Sequence, residues 1–74
     1  MKLFMGHMID ELRVKKIKEA LVKNPKGLSI SEIARKTDMT RITVTKYLSY
    51  LLGRGEVEMK QFGKVKVFYI KGGR

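Results

Sequence analysis

The pattern of apolar and polar positions between Thr40 and Gly55 predicts a helix with two unlike sides. Apolar residues recur at spacings of four and three along one edge, which we expect to face a core together with Gly55: Val44, Leu48 and Leu51. The opposite side carries short or cationic side chains and one isoleucine: Ile42, Thr45, Lys46, Ser49 and Gly53, with Thr43 and Tyr50 on the flank. No acidic residue occurs here, although exposed helices are commonly rich in Glu–Lys pairs. We predict a helix over residues 41–54, capped by Thr40, whose outer side suits a polyanion.

Two further helices are predicted upstream. Residues 10–24 form the first, with acidic residues in its first turn and an apolar stripe of Leu12, Val14, Ile17, Ala20 and Leu21. Proline and glycine in the stretch 24–27 end this helix, and a short strand is possible near Leu28.

The second helix is predicted over residues 30–37. Ser29 and Glu32 have the spacing of a capping box, and Ile30, Ile33 and Ala34 are expected to face inward. Residues 38–39 then make a tight connection, with Met39 tucked beneath it. Two helices joined so closely form a helix-turn-helix, in which the second helix of the pair enters a groove of DNA.

Beyond Gly55 the period changes from helical to alternating, which predicts a hairpin over residues 56–70 with its turn at residues 63–64. Val57 and Met59 share one face of the first strand. On the second strand either Phe68 and Ile70 or Val67 and Tyr69 are buried, and we favour the first pair. Residues 71–74 form a basic tail.

Composition limits the classes of protein that remain. A chain of 74 residues forms one domain with a small core, and without cysteine it has neither a disulfide framework nor a thiolate metal site. Its one histidine, His7, is expected at the surface, so we predict no metal, cofactor or small-molecule site. No catalytic constellation is evident, which argues against an enzyme. Neither a bilayer-spanning run nor a signal peptide is apparent, so we expect a soluble, cytoplasmic protein.

Charge points to a nucleic acid as the partner. The chain has 17 basic and 7 acidic residues, a net charge of +10. Residues 1–40 hold nine basic and five acidic residues (net +4), whereas residues 41–74 hold eight and two (net +6). This basic half contains the third helix and the hairpin, as expected of a nucleic-acid-binding surface.

Residues 1–9 are more apolar than a free terminus requires. They extend the first helix, dock on the core, or join the first helix in a homodimer contact. The sequence does not distinguish these three arrangements.

From about Val14 to Ile70 the chain resembles the winged helix-turn-helix regulators of bacteria and archaea, of the broad kind that includes MarR-like and ArsR-like repressors. The resemblance rests on GLSISEIARKTDMT, TRITVTKYLSYLLGRGEVE and KVFYI, and on the spacing of the core positions Val44, Leu48, Leu51, Gly55 and Val57. It implies an α+β winged helix: three helices followed by a two-stranded wing. The long C-terminal dimerisation helix of the larger repressors has no counterpart in this sequence.

The resemblance also implies a site on double-stranded DNA. The recognition helix would contribute Thr40, Arg41, Ile42, Thr43, Thr45, Lys46, Ser49 and Tyr50. The wing would contribute Lys60, Gln61, Lys64 and Lys66 on phosphate or in the minor groove. We expect Tyr47 to pack beside the core with its hydroxyl outward, whereas Tyr50 either stacks on a neighbour or bonds a phosphate. The exposed Ile42 leaves a second possibility open, a winged helix that binds protein or RNA within a larger assembly.

Overall fold

The computed structural model describes residues 9–71 as three helices and a three-stranded sheet. In chain order the elements are α1 (Glu11–Val22), β1 (Leu28–Ser29), α2 (Ile30–Thr37), α3 (Arg41–Gly53), β2 (Val57–Phe62) and β3 (Val65–Ile70). The strands lie in the order β1-β3-β2, and both pairs are antiparallel. The predicted α+β class, its two-stranded wing and the short strand near Leu28 are confirmed. Our expectations for residues 1–8 and 72–74 lie outside the described residues.

The helix-turn-helix is built by local capping interactions. The predicted capping box is present, since the Ser29 hydroxyl accepts from the Glu32 N–H and the Glu32 carboxylate accepts from the Ser29 N–H. Asp38 ends α2 with φ 59°, a left-handed conformation that the short Asp side chain tolerates. The Thr40 hydroxyl accepts from the Thr43 N–H and so caps α3, as predicted. These interactions fix the point at which α3 leaves the turn.

One apolar core joins the three helices to the sheet. Its buried side chains are Val14, Ile17, Leu21, Leu28, Ile33, Ala34, Val44, Tyr47, Leu48, Leu51, Val57 and Phe68, with Ile9, Ile30 and Met39 among those packed partly against it. The prediction for Leu12 was wrong, because this side chain is 62% exposed. At 100° per residue Leu12 lies about 200° around the helix from Val14, so it faces away from the core.

The end of α3 also differs from the prediction. Gly55 does not continue the core edge: the helix ends at Gly53, and Gly55 is exposed with φ 75°. The Gly55 N–H donates to the Leu52 carbonyl and the Glu56 N–H donates to the Leu51 carbonyl, each at 3.0 Å. This pair of bonds is the Schellman motif, which needs a left-handed residue after the helix and therefore favours glycine.

The register of the wing settles which residues of the hairpin face the core. Phe68 is buried and Ile70 packs partly against the core, which confirms the preferred pair. Met59 lies opposite Phe68 on the same face, as predicted, but it is 38% exposed. The core ends near Val57 at the base of the wing, so the outer half of the ribbon extends beyond the body of the domain.

Tyr47 corrects a further expectation. Its side chain is 1% exposed, and its hydroxyl points inward to accept a hydrogen bond of 2.7 Å from the Asp10 N–H. Asp10 in turn caps α1, because its carboxylate accepts from the Leu12 N–H. The hydroxyl of α3 therefore anchors the start of α1, and a buried tyrosine hydroxyl is expected to find such a partner.

Glu56 joins α1 to the start of the wing through two ion pairs. Its carboxylate lies 2.5 Å from the Lys18 ammonium and 2.6 Å from the Arg54 guanidinium. These hydrogen bonds, that from Lys18 first, hold the pKa of Glu56 below its ordinary value of 4.5. The pKa of Arg54 is raised, mainly by its hydrogen bond to Glu56.

These ion pairs predict a pH-dependent contribution to stability. Because the Glu56 pKa is lower in the folded than in the unfolded chain, the contribution is complete above pH 4.5 and is lost as the pH falls through the lowered value. Chemical denaturation of the wild type and Glu56→Gln over a pH series should show a difference in unfolding free energy that shrinks on acidification. The exposed Glu58→Gln is the control, and an equally pH-dependent difference for that variant would contradict the assignment.

Candidate nucleic-acid interface

The outer face of α3, defined as Arg41, Ile42, Thr45, Lys46 and Ser49, is open to solvent. All five side chains are exposed, and that of the apolar Ile42 is 84% exposed. Apart from the two basic residues, these side chains are short or apolar, so the backbone of α3 can come close to a partner. The surface is held by the opposite side of the same helix, whose four buried residues lie in the core.

Three other residues predicted for this site lie at its edge. The Thr40 hydroxyl donates to the Thr43 hydroxyl at 3.0 Å while it caps the helix, and Thr43 is half-buried. Tyr50 is half-buried against the core, and the Arg54 guanidinium lies 5.5 Å from the centre of its ring. Tyr50 therefore stacks on a neighbour, and the structure does not bring it onto the outer face of α3.

The side chains of the wing make two distinct arrangements. The Gln61 amide donates to the Gly63 carbonyl at 3.0 Å and so braces the turn. The Lys60 ammonium lies 5.4 Å from the centre of the Tyr69 ring. Lys64 and Lys66 are exposed on the turn and on β3, where they border a cleft beside α3.

This cleft is the feature that unites the two halves of the predicted site. It has a volume of about 270 Å³ and is lined by Ser29, Ile30, Ser31, Arg41, Lys64, Val65 and Lys66. One wall comes from the start of α2, one from the first residue of α3, and one from the wing. Three cations from two separate elements therefore border one opening, together with the hydroxyl-bearing start of α2. Such an opening suits a phosphate group, which arginine and lysine bind as charge-assisted hydrogen-bond donors.

The two elements that supply the cations of this surface, α3 and residues 59–70, have charges of one sign. Neither α3 nor residues 59–70 contain an acidic residue, and Asp38 and Glu56 are the nearest acids in sequence on either side of α3. A surface of this kind concentrates anions near it and steers charged partners toward it.

Sequence reasoning missed part of this arrangement. Ser31 and Val65 line the cleft, and Phe62 is 57% exposed beside the wing turn. The alternation of the wing strands could have indicated that Phe62 and Val65 lie on the face opposite Phe68, but their exposure depends on how far the ribbon extends beyond the core. Nothing in the sequence indicated that α2 would meet the wing.

Residues 9–71 offer neither a metal-binding cluster nor a membrane-spanning helix. Within that range no group of three or more His, Cys, Asp or Glu residues is placed to hold a metal ion. No helix there is both long and apolar enough to cross a membrane.

Comparison with solved structures identifies the class of domain to which this fold belongs. The winged helix-turn-helix DNA-binding domain of Mb0332 from Mycobacterium bovis is homodimeric and is described as a possible ArsR-family transcriptional regulator. It superposes with a TM-score of 0.77 at 25% identity, over 90% of this chain and 60% of that one. The transcriptional regulator SlyA matches with a TM-score of 0.73 at 18% identity, over 95% of this chain and 50% of that one. The present chain thus spans between half and two thirds of these two structures.

A third similar structure comes from a different context. It belongs to the DNA recognition and protein interaction domains of HOP2, with a TM-score of 0.68, 19% identity, and coverage of 80% of this chain and 98% of that one. No protein-family model and no curated protein sequence matches the chain. The chain is a winged helix-turn-helix domain with the fold of DNA-binding regulator domains.

Proposed function

We propose that this protein is a sequence-specific transcriptional regulator that binds double-stranded DNA. The observation that carries the proposal is the shared cleft, because it places Arg41 of α3 beside Lys64 and Lys66 of the wing. One DNA duplex can then meet both elements, with α3 in the major groove and the wing on the flanking backbone. The winged helix-turn-helix domain of Mb0332, which is named as DNA-binding, supports the same function.

The side chains of α3 suit direct contact with base edges. Arg41 lies at the first position of the helix, from which its guanidinium can bind a guanine bidentately or a neighbouring phosphate. Ile42 provides an apolar surface for a thymine methyl group, and Thr45 and Ser49 are short enough to approach a base or phosphate. Lys46 adds a positive charge on the same face.

The wing supplies mainly affinity in this proposal. Lys60, Lys64 and Lys66 contact phosphates, while Gln61 shapes the turn that carries Lys64. Phosphate contacts fix the position of a protein on DNA but distinguish sequences little. The division predicts that base preference from direct contact with base edges depends on α3 and that salt dependence depends on both elements.

We further propose that the protein acts as a homodimer in the cytoplasm, through α1 and the N-terminal segment. Leu12 and Val22 leave α1 with two apolar side chains that are 62% and 60% exposed. The similar domain of Mb0332 is homodimeric. A monomer mass by light scattering at working concentration would contradict the dimer.

A competition experiment at fixed salt tests the proposed function. Labelled duplex DNA should be displaced by unlabelled duplex more effectively than by structured RNA. With about 5 phosphates neutralised, the logarithm of the binding constant should fall against the logarithm of salt concentration with a slope of about −4 to −5. A preference for RNA, or no binding of either nucleic acid, would favour the alternative of a protein- or RNA-binding module.

A further inference from the structure

The tip of the wing exposes a pair of apolar side chains that the fold does not use. Phe62 and Val65 are 57% and 51% exposed. They are direct partners in the antiparallel register, immediately before and after the turn at residues 63–64. Side chains of directly paired residues lie on the same face of a ribbon, so the two form one apolar ridge at its end, called here the tip pair.

The position of the tip pair sets it apart from ordinary exposed apolar residues. Single exposed hydrophobic residues are common on protein surfaces. The tip pair, however, occupies the outermost part of the ribbon, on the face opposite Phe68 and the core. Val65 also lines the cleft that Arg41 borders, so the ridge adjoins the surface proposed to meet DNA.

The charges around the tip pair favour a polyanion as its partner. Lys60, Lys64 and Lys66 surround it in sequence, and no acid occurs over residues 59–70. Docking of an apolar protein surface would remove water from these ammonium groups without supplying opposite charges or hydrogen-bond acceptors, which is unfavourable. A DNA duplex supplies phosphates for the lysines and an apolar base stack for Phe62.

We infer that Phe62, supported by Val65, is an apolar wedge that enters the minor groove and partly unstacks a base step. The inference rests on the proposed function, since α3 in the major groove brings the wing to the neighbouring minor groove. Apolar side chains inserted in this way bend the duplex, and pyrimidine–purine steps unstack most easily. The wedge thereby gives a sequence preference at a step to which the protein makes no hydrogen bond.

The test uses the full chain and a short duplex that the wild type has selected from a random pool. 2-Aminopurine, whose fluorescence rises when it loses stacking, is placed at successive positions under the wing, and the end-to-end distance is measured by energy transfer. The wild type should raise fluorescence at one step and shorten the duplex. Phe62→Ala should abolish both signals and weaken binding about tenfold, equivalent to about 1.4 kcal/mol, with an unchanged salt slope.

Matched variants separate the wedge from general effects. Phe62→Leu retains an apolar side chain and should restore part of the unstacking signal, whereas Lys64→Ala should reduce the salt slope and leave the signal in place. Leu52→Ala shortens a partly exposed apolar side chain at the end of α3, outside the outer face of α3 and the proposed dimer contact, and should change neither the unstacking signal nor the salt slope. Far-ultraviolet circular dichroism of each variant confirms that it is folded.

The outcomes distinguish the wedge from the proposed function. If Phe62→Ala binds, bends and unstacks DNA like the wild type, the assignment of Phe62 as a wedge is wrong, whereas the proposed DNA-binding function is unaffected. Loss of self-association in Phe62→Ala without any change on DNA would assign the tip pair to a protein contact and equally overturn the wedge. A wild type that binds no duplex would overturn both.

Discussion

Alanine in place of Arg41 is expected to relax the sequence preference of the protein at one base pair. The guanidinium lies at the first position of α3, where it borders the cleft and has no acidic neighbour on its own helix. A bidentate contact to a guanine contributes about 1–3 kcal/mol of discrimination, so preference at that position should fall by roughly 5-fold to 150-fold. Binding of the Arg41→Ala variant to single-base variants of a selected duplex measures this loss directly.

Two companion variants show whether the effect comes from base recognition. Lys46→Ala removes a charge from the same face of α3 and should also alter preference, at positions one helical turn further along. Lys64→Ala removes a charge from the wing and should weaken binding to all duplexes by a similar factor, because phosphate contacts are independent of sequence. If none of the three changes affinity for DNA, the proposed interface is wrong.

A second large effect is expected at Gly27, on the stability of the fold. Gly27 has φ 93°, and a β-carbon added there would lie 2.5 Å from Cγ1 of Val67 and 2.6 Å from a ring carbon of Tyr69. Alanine therefore combines a strained backbone, which costs about 1 kcal/mol, with overpacking against β3, which costs about 1–3 kcal/mol. We expect Gly27→Ala to lower the unfolding free energy by about 2–4 kcal/mol, from a total of about 4–11 kcal/mol. The midpoint of thermal unfolding should then fall by roughly 10–30 °C.

Gly55→Ala is the matched control for this prediction. Gly55 also has a positive φ, 75°, but no atom lies within 4 Å of an added β-carbon. Its replacement should therefore cost only the backbone strain, about 1 kcal/mol. Equal losses of stability at Gly55 and Gly27 would show that contact with Val67 and Tyr69 is unimportant.

The local signals in the sequence were sufficient to predict most of the elements. The capping box at Ser29 and Glu32 depends on residues three apart, and the cap at Thr40 likewise involves its near neighbour Thr43. Alternation after Gly55 indicated the hairpin, and the choice of Phe68 as its buried residue was correct. These features depend on residues that are close together in the sequence, so they can be predicted from the sequence alone.

The predictions that were wrong concern side chains whose environment depends on distant parts of the chain or on their exact angle around the helix axis. The Tyr47 hydroxyl bonds to Asp10, 37 residues away, and no local pattern indicates such a partner. Leu12 was assigned to the core stripe because it is apolar, although its angle from Val14 places it on the opposite side. Met59 is on the predicted face but lies too far along the wing for the core to cover it.

The candidate site shows the same division between local and distant information. The sequence predicted the exposed character of Ile42 and Lys46 from helical spacing alone. It did not predict that Ser31 of α2 and Lys66 of the wing would border one cleft with Arg41, because that meeting depends on tertiary packing. The roles of these residues in DNA binding remain predictions for the experiments above.

The central claim is that the outer face of α3 recognises a specific DNA sequence. Selection of bound duplexes from a random pool, followed by sequencing, tests it most directly. We predict a short recurrent motif, repeated in inverted orientation for a dimer, which Arg41→Ala selects with reduced preference at one base pair. Recovery of duplexes without any recurrent motif, or recovery of none, would contradict the claim.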